Sequence, residues 1–203
     1  MSTGRGLFIV VYGPSGVGKT KQLDLLEGRL KDEGVATRRV QFPIYDLGDS
    51  GQKLKRILWR KERQLPEEEM QQLFAENYRE FEPTLKAWLE SGVTVLAEDY
   101  KGAGIVWGVT RGVSQQRVEE IFSDFREPDL AILIDGPRRL DLRPGEGHVY
   151  QTDEDEWYRA RKVYLAMADK YGWIRVGGDA PILTVAGRIW TVVKLALAMR
   201  KGI

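Results

Sequence analysis

The chain has 203 residues, 42% of them hydrophobic, enough for one sizeable core. Its 31 basic and 30 acidic residues leave a net charge of +1, which argues against a nucleic-acid polymer or an anionic membrane as partner. With no cysteine and one histidine, His148, disulfides, thiolate metal centres and histidine clusters are excluded.

An apolar run over 7–12 reads as the first strand. It leads into Gly13-Pro14-Ser15-Gly16-Val17-Gly18-Lys19-Thr20, with the spacing G-x-x-x-x-G-K-T. Leu23, Leu26 and Leu30 then recur at helical spacing. Strand, glycine loop and helix together are the setting of a phosphate-binding loop. Gly13, Gly16 and Gly18 let backbone N–H groups turn toward phosphate oxygens, and the start of the helix adds its positive dipole end. Pro14, Ser15 and Val17 belong to the same loop. Lys19 is expected to reach the β- and γ-phosphates of ATP, and Thr20 to place its hydroxyl on Mg2+.

Gly34 ends that helix. A second strand is expected over 36–42, stopped by Pro43, and a short helix over 52–60. A long helix starts at Pro66 with Glu67, Glu68 and Glu69 in its first turn. Met70, Leu73, Phe74, Tyr78, Phe81, Leu85, Trp88 and Leu89 form its apolar face, Pro83 is expected to kink it, and Ser91-Gly92 ends it. A third strand over 93–97 runs into Glu98-Asp99-Tyr100. Gly102, Gly104, Gly108 and Gly112 predict irregular backbone or a broken helix over 101–112. A helix over 115–125 and a strand over 130–134 follow, the strand ended by Asp135-Gly136-Pro137. The stretch 138–151 has no apolar period and carries Arg138, Arg139, Arg143 and His148, so about 137–151 reads as a lid. Thr152-x-x-Asp155 resembles a capping box for a helix to 171. A strand over 173–176 and a helix over 181–201 close the chain. No apolar run is expected to reach membrane-spanning length, and 1–6 is unlike a signal peptide, so a cytoplasmic protein is expected.

Strands alternating with helices predict one α/β domain over 1–203, a three-layer P-loop NTPase fold with a five-stranded parallel sheet and helices on both faces. Ligands of such sheets sit at the carboxyl ends of the strands, so 13–20, 43–46, 98–100 and 135–143 should converge. Glu98 and Asp99 are the candidate acids, acting on Mg2+ through water or taking a proton from a hydroxyl acceptor. Arg138, Arg139 and Arg143 are candidates to neutralise charge on the transferred phosphoryl group. Phe74, Tyr78 and Trp107 offer flat surfaces to a base, although Phe74 also fits a plain core stripe. Trp59, Trp157, Tyr164, Tyr171 and Trp190 read as packing, and His148 as a surface residue.

In this order the segments resemble the thymidylate kinase family over nearly the whole chain. Gln41-Phe42-Pro43-Ile44-Tyr45 with Gly51 is similar to that family's Phe-Pro segment. Leu73-Phe74-Ala75-Glu76-Asn77-Tyr78 is similar to its base-stacking helix, and Glu98-Asp99-Tyr100 stands where it has Asp-Arg-Tyr. Pro128-Asp129-Leu130 through Asp135, and Tyr164-Leu165-Ala166 with Gly172-Trp173, resemble its later strands and helix. The resemblance implies ATP-dependent phosphorylation of dTMP to dTDP with Mg2+, usually by a homodimer. It implies Phe74 as the stacking residue, Trp107 as a second aromatic contact, Glu98 as the strand-end acid, and Phe42, Tyr45, Tyr78 and Tyr100 in the acceptor site. Where the family holds the acceptor phosphate with arginines, this chain has Tyr45, Tyr78 and Asp99, with Arg79, Lys101 and Arg111 nearby as substitutes. Two other readings stay open. One is a nucleoside kinase in which Glu98 or Asp99 takes the proton of a 5′-hydroxyl. The other is an ATP-binding protein without catalysis.

Overall fold

Every residue of strand β1, Phe8–Tyr12, is buried. The computed structural model describes residues 4–60, 65–139 and 154–201. β1 is the middle strand of a parallel sheet with β2 (Thr37–Gln41), β3 (Thr94–Glu98), β4 (Leu130–Asp135) and β5 (Ile174–Gly177), in the order β2-β3-β1-β4-β5. Val11 lies opposite Glu98 on one side and Ile132 on the other. A strand paired on both edges and covered on both faces has to be apolar throughout, which is why 7–12 reads so plainly.

Alternation along β1 divides the core in two. Ile9 and Val11 face α1 (Lys19–Asp32) and α7 (Ile182–Lys201), meeting Leu23, Leu30, Val185 and Ile189. Phe8, Val10 and Tyr12 face α2 (Gly48–Arg60), α3 (Glu67–Glu90), α4 (Lys101–Thr110) and α6 (Glu154–Tyr171), meeting Leu54, Phe81, Val106 and Tyr164. A short α5, Gln115–Ile121, lies between α4 and β4.

Each expected strand is found within a residue of its bounds. Gly34 does end α1, at φ 73°, and Val35 N–H closes back on Leu30 O at 2.9 Å. α3 runs on through Pro83. α2 begins four residues before 52, at Gly48, and α5 stops at Ile121, where Phe122 turns into the core.

Two expectations are corrected. The glycine-rich stretch 101–112 holds a continuous helix, α4, through Thr110. Its glycines are there for contact. A Cβ on Gly102 would stand 2.6 Å from the Trp173 ring and 2.8 Å from that of Tyr12, and one on Gly104 would run into Phe122. Helix propensity penalises each glycine by about 1 kcal/mol, but close packing on both sides outweighs that. The second correction concerns α7. Its stretch Ile182–Arg200 is by length and composition apolar enough to cross a membrane, with mean hydropathy 1.6. In the fold it packs Val185, Ile189, Trp190 and Val193 inward and leaves Leu183, Leu195 and Met199 exposed.

Candidate active site

Between β1 and α1 the chain makes a turn in which Gly16 (φ 83°) and Gly18 (φ 95°) take left-handed conformations. α1 begins at Lys19 with no side chain capping it, so the first N–H groups of the helix open toward the loop. The Lys19 ammonium is buried; it donates to Gly13 O at 2.7 Å and Pro14 O at 3.3 Å and stands 3.6 Å from Asp99 Oδ2. Thr20 Oγ1 donates to Glu98 Oε1 at 3.0 Å. Arg39, reaching across from β2, donates to Glu98 Oε2 at 3.3 Å and pairs with Asp24. Glu98 is thus a buried carboxylate fixed from both sides.

Asp99 follows at φ 60°, a left-handed backbone that aspartate tolerates better than most residues. Its N–H donates to Val11 O at 3.1 Å, tying the turn to β1. Oδ2 faces Lys19, while among the described residues Oδ1 has no hydrogen-bond partner. Burial pushes the carboxyl up to about 7; Lys19 opposes the rise and Glu98 adds to it. A carboxyl raised in the folded state favours folding most below its unfolded value. That contribution is lost as pH climbs from about 4 to about 7. Asp99→Asn mimics the neutral acid, so its advantage in Tm over the parent should be small at pH 5. By pH 8 the advantage should grow to about 3–6 °C, or about 1–2 kcal/mol. Melting curves across pH check this; a gap independent of pH would refute it.

One cavity of about 620 Å3 joins these groups. Its lining includes Gly13, Ser15, Gly16, Gly18, Lys19 and Thr20 from the loop, and Glu98 and Asp99 from the end of β3. Arg138 and Arg139 follow β4, and Phe42, Tyr45, Phe74, Tyr78 and Trp107 complete the expected set. Arg138 packs against Gly16, where a Cβ would come within 3.2 Å of Arg138 Cγ. Arg139 N–H donates to Gly16 O at 2.9 Å, and its guanidinium donates to Gly178 O and Ala180 O at 3.0 Å. Pro14 contributes its carbonyl to Lys19, and Val17 is buried beneath the loop.

Tyr100 is a correction. Its ring is fully buried between Phe8 and Phe42, at 5.1 Å from each, and its hydroxyl donates to Glu82 at 3.2 Å. It is a core residue and does not line the cavity. Nor do the three substitute cations. Arg79 lies over the Phe125 ring, Lys101 donates to Phe125 O at 2.9 Å, and Arg111 pairs with Glu156 at 2.9 Å. Arg143, His148 and most of the expected lid lie outside the described residues.

Sequence reading missed Trp59 and Tyr164, which both line the cavity, Trp59 packing edge-on to Tyr45 at 6.2 Å. It also missed that Trp157 donates its indole N–H to Ser15 O at 2.8 Å, linking α6 to the loop. A third omission was Asn77, fully buried on α3. Ile44 N–H donates to Asn77 Oδ1 at 2.8 Å, and Asn77 Nδ2 donates to Ile44 O at 3.0 Å and Ser50 Oγ at 3.1 Å. This clamp holds the segment that carries Phe42 and Tyr45. Asn77→Ala should cost about 2–4 kcal/mol, because it strands buried polar groups, and denaturant unfolding measures it.

A family model described as thymidylate kinase matches residues 11–189. The chain belongs to the thymidylate kinase family. It is 30% identical over 208 residues to the thymidylate kinase of Methylococcus capsulatus, covering 95% of this chain and 97% of that one. With that of Thermomicrobium roseum it shares 28% over 204 residues, 92% and 93% of the two chains. The solved thymidylate kinase structure from Candida albicans superposes with a TM-score of 0.76 over 94% of this chain and 92% of that one, at 20% identity, and shows the shared fold. As a member of the thymidylate kinase family, the chain is an enzyme, a nucleoside monophosphate kinase that draws on ATP. Its loop, lysine and strand-end acid stand where that chemistry needs them.

Proposed function

We propose that the chain transfers the γ-phosphoryl group of ATP, bound with Mg2+, to dTMP, giving dTDP and ADP. One observation carries this reading. A single cavity has Lys19, Arg138 and Arg139 beside the phosphate loop and Phe74, Tyr78 and Trp107 among its other walls, so a triphosphate and a flat base fit into one space. Thr20 and Glu98 offer a hydroxyl and a carboxylate oxygen 3.0 Å apart, a hard donor set that suits Mg2+ together with phosphate oxygens and water. Bound there, Mg2+ would neutralise charge on the β- and γ-phosphates.

The loop N–H groups hold the β-phosphate. Lys19 exchanges its carbonyl partners for phosphate oxygens, and Arg138 places positive charge beside the transferred group. Phe74 and Trp107 stack on thymine and align its phosphate for in-line attack. Family membership supports a homodimer, which sedimentation would show as twice the 23.1 kDa chain.

The test is ADP release with MgATP and a panel of nucleoside monophosphates. dTMP should give the fastest turnover. Absence of turnover with every monophosphate would overturn the reading.

A further inference from the structure

The cations that line the cavity among the described residues are Lys19, Lys21, Arg138 and Arg139. All four stand on the loop, the first turn of α1 or the segment after β4. The lining from the Phe42–Tyr45 segment, α3 and α4 is aromatic or small, with Tyr45 and Tyr78 at the positions where the family resemblance led one to expect arginines. Arg79, Lys101 and Arg111 are turned to partners elsewhere. Beside Lys19, where donor and acceptor must meet, stands the Asp99 carboxylate, with one oxygen 3.6 Å from the ammonium and the other unpartnered.

Among the described residues, an acceptor phosphate arriving there finds no lining cation on its own side and the Asp99 carboxylate beside Lys19. A neutral 5′-hydroxyl arriving there finds a hydrogen-bond acceptor. From this juxtaposition we propose a second activity: transfer of the γ-phosphoryl group of ATP to the 5′-hydroxyl of a pyrimidine nucleoside, thymidine first. It rests on the proposed function for the donor site and the base site, and changes only the acceptor. O5′ attacks the γ-phosphorus as the bond to the β–γ bridging oxygen breaks. The electron pair of that bond leaves with ADP. The hydroxyl proton passes to the Asp99 carboxylate and then to water.

The experiment incubates the full chain with MgATP and either thymidine or dTMP, identifies products by mass, and uses Lys19→Ala as the background. Thymidine should yield dTMP, together with dTDP formed from it, well above that background. Asp99→Asn, its folding verified by melting, should cut the thymidine rate at least a hundredfold and lower the ratio of thymidine to dTMP turnover by a similar factor. Turnover of dTMP with no product from thymidine overturns this inference and leaves the proposed function standing. Failure of both acceptors overturns both. Equal losses on both acceptors in Asp99→Asn would remove Asp99 from the step.

Discussion

Lys19→Ala should leave a folded protein whose turnover falls by about a thousandfold or more. Lys19 is the lining cation buried inside the loop, and it has three oxygen neighbours, the carbonyls of Gly13 and Pro14 and the carboxylate of Asp99. In the proposed mechanism its charge sits where negative charge develops during phosphoryl transfer, and the side chain is largely buried. Removing one such preorganised group typically costs a hundred- to a thousandfold, and a full charge belongs at the upper end of that range. The fold should survive, because β1 and α1 are held by Ile9, Val11, Leu23 and Leu30, none of which touches the change. Asp99 loses its opposing cation, so its carboxyl should titrate above its present value of about 7. The checks are kcat from coupled ADP release beside a thermal melt. A variant that keeps more than a tenth of the parent rate, with the melt unchanged, would remove Lys19 from the mechanism.

Gly104→Val should be strongly damaging to the fold. The first added carbon already meets the Phe122 ring and stands 3.1 Å from Gln71 Oε1, and Phe122 and Gln71 are both buried against their neighbours. Two further methyl groups enlarge that clash between α4 and its neighbours, with the cavity that Gly104 lines as the open side. Overpacking of this kind costs about 3 kcal/mol or more, roughly 6–12 °C in Tm for a chain of this size. Gly28→Ala is the contrasting control. It lies in α1 with open space around it, and alanine there should stabilise by about 0.5–1 kcal/mol. Differential scanning calorimetry of the two variants settles the matter: similar melts would mean that the packing of α4 is looser than described.

The same contrast explains what could be read in advance. The strands and the phosphate loop were legible because their signals are local: a contiguous apolar run, a fixed spacing, a helix that starts at once. α4 was not, because its helicity depends on Phe122, Trp173 and Tyr12, which lie far away in sequence. Tyr100 was misplaced because position alone says that it follows the acids. The left-handed turn at Asp99 sends its backbone on into α4 and its ring into the core. Trp59 and Tyr164 lie on helices whose apolar stripes look the same whether they face a core or a cavity. Arg39 was invisible as a partner of Glu98, since that contact needs β2 to lie beside β3, which the order of elements along the chain does not specify.

The position of the Lys19 ammonium has one more consequence. The loop's own oxygens already satisfy it, so a ligand gains only the difference between what it offers and what it displaces. A small anion such as sulfate can take the open N–H groups at the start of α1, but it is too small to reach Lys19, Thr20 and the arginines together. A triphosphate offers oxygens to the backbone N–H groups, to Thr20 and to the arginines as well, and can offset that loss. On the proposed function, the resting place of this one side chain should favour long polyphosphates over simple anions before any ligand arrives.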